Sequence, residues 1–205
     1  MDDRLRSVFD ESRRVEWYNA SMMQVAFCLS CGFALLGGID VGYYHLYRFK
    51  LYRVPASAAE HLAHLARSAL FIAALSWVMW VKAEGQFALV LPALLAVDFI
   101  NSMVDVWIEP ASRAALGGLP AREYAIHMMT MFVSGALMAV VIVESVRAWA
   151  LPTALEFQAL PLPLWARGCG LQLFIVTAGL YLFEGIQFAR AVNQRVVRRS
   201  KEMTT

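Results

Sequence analysis

Five long apolar runs govern what this 205-residue chain can become, because each is about as long as a bilayer's hydrocarbon layer is thick. They cover residues 19–44, 58–81, 86–109, 121–146 and 165–190. At about 1.5 Å of rise per residue, a helix over any of them crosses roughly 30 Å of hydrocarbon. A backbone in lipid finds no water to bond, so each run must close its own hydrogen bonds as a helix. The sequence therefore predicts an all-α fold, an integral membrane bundle of five transmembrane helices. Composition agrees, with 60% hydrophobic and 17% charged residues and a mean hydropathy of +0.54, too apolar for an ordinary soluble domain.

The segments between the runs carry the punctuation. Residues 1–18 mix Arg4, Arg6, Arg13 and Arg14 with Asp2, Asp3, Asp10, Glu11 and Glu16 around Leu5, Val8 and Phe9, the pattern of a short interfacial helix. The run behind it lacks a clean small-residue cleavage site and is expected to stay as the first span. Gly37 and Gly38 within that span would let a neighbouring helix come close. A loop rich in Tyr and Arg, residues 45–54, follows, and Pro55 closes it. Ser57 and Glu60 have the spacing of a capping box for the second helix. Lys82, Glu84 and Gly85 predict a short turn, and Pro110 an interruption of the third helix. Pro120 suits the first position of the fourth helix, where its missing amide hydrogen costs nothing. Residues 147–164, with Pro152, Pro161 and Pro163, read as a loop or surface-lying segment, and 191–205 as a soluble basic tail.

Threading five spans alternately through a bilayer gathers residues that are far apart in sequence. Trp17, Trp77, Trp80, Trp149 and Trp165 fall at one interface, as an aromatic belt does, and Tyr43, Tyr44, Tyr47 and Trp107 mark the other. At that second side stand all four histidines, His45, His61, His64 and His127. Asp40, Glu60, Asp98, Asp105, Glu109, Glu123 and Glu184 accompany them. Residues three or four apart on a helix share a face, which aligns Glu60 with His64, His61 with His64, Asp105 with Glu109 and Glu123 with His127. An ionisable group inside the bilayer needs a partner, and Arg67, Arg113 and Arg122 are the cations at hand if no metal serves.

Imidazole and carboxylate together form the ligand set of iron, zinc and manganese. The expected metal ligands are Asp40, His45, His61, His64, Asp105, Glu109, Glu123, His127 and Glu184, with His45, assigned to a loop, the weakest of them. Their number favours a dinuclear centre with iron ahead of zinc or manganese. Glu60, which would also serve as a ligand in an oxidative centre, Asp98 and Tyr44 are the expected catalytic residues, with Tyr43, Tyr44 or Tyr47 the expected source of an electron or proton. The ligand chemistry resembles that of soluble di-iron bundles and of membrane desaturases and hydroxylases, although the chain lacks the repeated histidine boxes of the latter.

The expected function is a membrane-embedded metalloenzyme. It would act on a lipid-like or quinone-like substrate by oxidation, hydroxylation or metal-assisted hydrolysis, surrounded by membrane lipid. A divalent-metal transporter or sensor and a non-enzymatic scaffold are the alternatives, and transport would call for a homodimer to complete a path. The net charge of +2 spread over loops gives no footprint for nucleic acid. Three cysteines, Cys28, Cys31 and Cys169, form no zinc or disulfide pattern and read as small apolar side chains. Basic residues are denser on the histidine side, which places that side and the C-terminus in the cytoplasm of a cell-membrane protein, with the N-terminus outside.

Overall fold

The computed structural model describes residues 22–202, with side chains through residue 194. The expected interfacial helix over residues 1–18, Trp17 and the charged side chains of the tail lie outside the described residues. Five helices are long and apolar enough to cross a membrane, as the apolar runs predict. They are α1 (Met22–Arg48), α2 (Ala58–Trp80), α3 (Val90–Arg113), α4 (Ala121–Trp149) and α5 (Leu164–Glu202). The last ten residues of α1, Ile39–Arg48, wind as a π-helix. Exposed side chains such as Trp107, Phe132, Ile175, Val176 and Leu182 lie on the outside of the bundle, where hydrocarbon is the matching solvent.

Several local expectations change. The 45–54 segment is not all loop, because α1 continues to Arg48 and makes His45 helical. No helix packs against Gly37 and Gly38, since a Cβ at either would meet nothing within 4 Å among the described residues. Pro110 lies inside α3, which runs on to Arg113. Helices in a bundle tolerate a proline where neighbouring groups take over the freed backbone positions. Ser57 makes no side-chain cap for α2; its hydroxyl donates instead to the carbonyl of Ser112, 3.3 Å away. Continuation of α5 carries helix through most of the expected tail.

The expected turn at 82–85 is in fact a strand. β1 (Val81–Glu84) pairs antiparallel with β2 (Ala154–Phe157) from the proline-rich 147–164 segment, Val81 opposite Phe157 and Glu84 opposite Ala154. This ribbon ties the end of α2 to the connection between α4 and α5. Gly85, at φ +58°, follows β1, and a Cβ there would fall 2.5 Å from the Thr153 Cα. No other residue type fits that turn without backbone movement.

The interior divides across its length. Near the ribbon it is apolar, built from Phe27, Phe33, Phe71, Leu75, Leu91, Leu95, Leu137 and Val141, with Phe33 and Phe71 stacked at 5.1 Å. Gly170 lets α5 approach this core, because a Cβ there would lie 2.8 Å from Met79 and Phe27 side-chain atoms. On α3 the buried stripe begins as Leu91 and Leu95 and then turns polar through Asp98, Ser102, Asp105, Glu109 and Ser112. The spacing of three and four residues never breaks, so one inward face passes from hydrocarbon packing to a polar chamber.

Candidate metal centre

Every helix contributes to that chamber. In α1 the π-helical winding bonds residue i to i+5 and so brings residues five apart into line, whereas an α-helix would set them about 140° apart. Asp40 and His45 are five apart and both buried, with His45 Nε2 3.5 Å from Asp40 Oδ1. From α2 come Glu60, His61, His64 and Arg67; from α3, Asp98, Asp105, Glu109, Ser112 and Arg113; from α4, Glu123 and His127; from α5, Glu184. His45, the weakest expectation, proves central at 1% exposure.

Two overlapping sets of side chains are close enough to hold a metal ion. Asp40, His45, Glu123 and His127 form one, and His45, Glu60 and His64 the other, each with its ligand atoms within 4.8 Å of one another. An ion about 2.1 Å from each of four tetrahedral ligands holds the ligand atoms roughly 3.4 Å apart, close to the shorter separations here, while the wider ones would draw in. In the first set His127 Nε2 lies 3.0 Å from Asp40 Oδ1, and His45 Nε2 lies 3.4 Å from Glu123 Oε1. The rings of His45 and His64 meet edge to face at 4.2 Å.

Arg113 stands between the two sets. Its guanidinium is 1% exposed and contacts Glu60 and Glu123 at once. Its Nε donates to Glu60 Oε1 at 3.0 Å, and Ser112 donates to the other oxygen of the same carboxylate. Glu60 is thereby committed to α3 rather than to a capping box. Arg67 serves the carboxylates deeper along α3, 3.9 Å from Asp98 and 3.5 Å from Asp105.

The other expected site residues surround these sets without joining them. Glu109 Oε1 lies 3.4 Å from His127 Nδ1, and Asp105 Oδ2 lies 3.4 Å from His64 Nε2. His61 turns toward α5, where its Nε2 bonds the Glu184 carbonyl at 3.2 Å and its ring stacks on Phe188 at 5.5 Å. The Glu184 carboxylate is fully buried, and neither oxygen has a hydrogen-bond partner among the described residues. Tyr44 has aromatic neighbours, Tyr43 edge-on at 4.9 Å and Phe49 stacked at 6.4 Å. Ser112 is the site residue that sequence reasoning passed over, although it continues the 98–102–105–109 stripe.

No protein-family model, curated protein or solved structure matches the chain. Chemistry at the site must be read from its own groups.

Charge is the first of these. Seven buried carboxylates, Asp40, Glu60, Asp98, Asp105, Glu109, Glu123 and Glu184, face two guanidinium groups, Arg67 and Arg113. With the imidazoles neutral, five negative charges lack a side-chain cation among the described residues. Buried charge is expensive unless compensated, so protons or metal cations must make up the balance. Hydrogen bonding gives a second test. His45 Nδ1, both nitrogens of His64, Glu123 Oε2 and Asp105 Oδ1 are buried with no hydrogen-bond partner among the described residues. Imidazole nitrogens and carboxylate oxygens left without partners in one chamber fit a transition-metal ion, which takes both kinds of ligand together.

Proposed function

We propose that this chain is a membrane-embedded metalloenzyme whose histidine and carboxylate chamber binds a divalent transition metal, with iron the leading candidate and zinc or manganese next. The observation that carries this reading is the convergence of Asp40, His45, Glu123 and His127, drawn from two helices 78 or more residues apart in sequence, within 4.8 Å of one another. Iron held there would supply oxidation or hydroxylation, and zinc hydrolysis through an activated water. The chain's own groups would orient the ligands and move protons. Asp98, 3.9 Å from Arg67 at the base of the chamber and outside both ligand sets, would be a carboxylate able to accept a proton.

A lipid-like or quinone-like substrate would arrive sideways from the membrane. His127 supports this route, since at 16% it is the most exposed of the ion-paired histidines. Tyr124, Met128 and Met129 beside it on α4 are exposed and apolar in body, as a surface bathed by lipid would be. Arg48, Lys50, Arg53 and Arg122, exposed around the polar end, favour placing that end in the cytoplasm.

One observation favours a second reading, a metal-free ion-pair network, namely the placement of Arg113 against Glu60 and Glu123. Elemental mass spectrometry on gently purified protein separates the two. The metalloenzyme reading expects near-stoichiometric iron, manganese or zinc that is lost in both His127→Ala and Glu123→Ala. Folded wild-type protein that takes up no metal, even after reconstitution with each ion, would leave the network reading.

A further inference from the structure

The guanidinium of Arg113 occupies the place where the two ligand sets meet. Its Nη2 lies 2.8 Å from Glu60 Oε1 and 3.0 Å from His45 Nε2, and it donates to Glu123 Oε1 as well. The His45 nitrogen is itself 3.9 Å from that Glu60 oxygen and 3.4 Å from that Glu123 oxygen. One charged nitrogen therefore sits among three candidate ligand atoms where an ion bound by the same three would have to sit. A metal centre and a guanidinium nitrogen cannot share that volume. Arginine is always charged and its planar fork suits carboxylates, so it does not yield the place by losing a proton.

We infer that Arg113 stands in for a second metal cation, so that the chamber binds a single divalent ion beside a fixed guanidinium. The inference rests on the metal-site reading above and fixes its stoichiometry. Glu123 shows how the two cations divide one carboxylate: Oε1 accepts from Arg113, while Oε2 is buried and unpartnered. Asp40 and His127, 3.0 Å from each other and grouped with Glu123, make no hydrogen bond or ion pair with Arg113 and are the remaining ligands. His45, whose Nε2 accepts from Arg113, is held by the guanidinium as well. Glu60, held by both Arg113 and Ser112, belongs to the guanidinium and not to the ion. His64 then borders the ion's site without ligating it.

The test is a count of bound ions. Full-length protein in lipid nanodiscs is stripped with a chelator, incubated with excess Mn²⁺ or Zn²⁺, desalted and analysed for metal per chain. Wild type and His64→Ala should each retain one equivalent, and Arg113→Gln should retain two, because Glu60, His45 and His64 are released to hold a second ion. Two equivalents in wild type would overturn the inference while leaving a metalloprotein. One equivalent in folded Arg113→Gln would overturn it as well. If Arg113→Gln does not fold, His64→Ala decides, since loss of the ion there makes His64 a ligand. No ion in wild type or in either variant would overturn this inference together with the reading beneath it.

Discussion

Glu109 touches the site only through another residue. Its Oε1 lies 3.4 Å from His127 Nδ1, while the opposite ring nitrogen faces Asp40 at 3.0 Å. A carboxylate behind a ligating imidazole fixes the ring's tautomer and angle, and losing such a partner typically weakens metal affinity by about 10–100-fold. Glu109→Ala should therefore bind metal about 10–100-fold more weakly, with Glu109→Gln recovering part of the loss, measured by competition with a chelating dye. Unchanged affinity in both variants would make Glu109 a bystander. From sequence, Glu109 and Asp105 were legible as members of the polar cluster but not in which neighbour each faces, because a ligand and a residue that orients a ligand would need the same helix face. Only distance separates them. Arg113 was legible in the same partial way, as a cation within reach of the carboxylates, while its position between Glu60 and Glu123 depends on how α2, α3 and α4 pack.

At the scale of elements, the π-helical end of α1 is the feature that α-helical periodicity does not reveal. An α-helix through Asp40 would have turned His45 away, and the polar, tyrosine-rich composition after Tyr44 reads as loop. Winding with i to i+5 bonds aligns the two instead. Spacing then becomes a test. Deleting Gly42 leaves Asp40 and His45 four apart, which an ordinary α-helix also places on one face. Inserting alanine after Gly42 leaves them six apart, a spacing that neither winding brings into line. The deletion should hold metal better than the insertion, which should lose it, with circular dichroism showing both still helical. Equal retention by the two would mean that the π-helical register does not position His45. The spans themselves were far more legible, because lipid leaves an apolar backbone no alternative to helix. The β1 and β2 ribbon was not, since it pairs residues about 73 positions apart across a proline-rich segment whose composition argues for loop.

The whole molecule places its chemistry at one end. Polar groups run from Glu60 and Arg113 down α3 as far as Asp98, and below that Phe33, Phe71, Leu91, Leu95, Leu137 and Val141 fill the interior. An ion leaving the chamber toward the ribbon would have to shed its ligands into hydrocarbon side chains, at the steep cost of an uncompensated buried charge. A single chain so built holds an ion more readily than it passes one. In liposomes loaded with a metal-sensitive dye, the reconstituted protein should therefore admit Mn²⁺ no faster than protein-free liposomes, even with a membrane potential imposed. Flux that exceeds this leak and disappears in Asp98→Asn would restore the transporter reading. Asp98 makes that comparison decisive because it is the deepest carboxylate on α3, where the polar stripe gives way to Leu95 and Leu91, and any path across the bilayer through this interior would have to begin there.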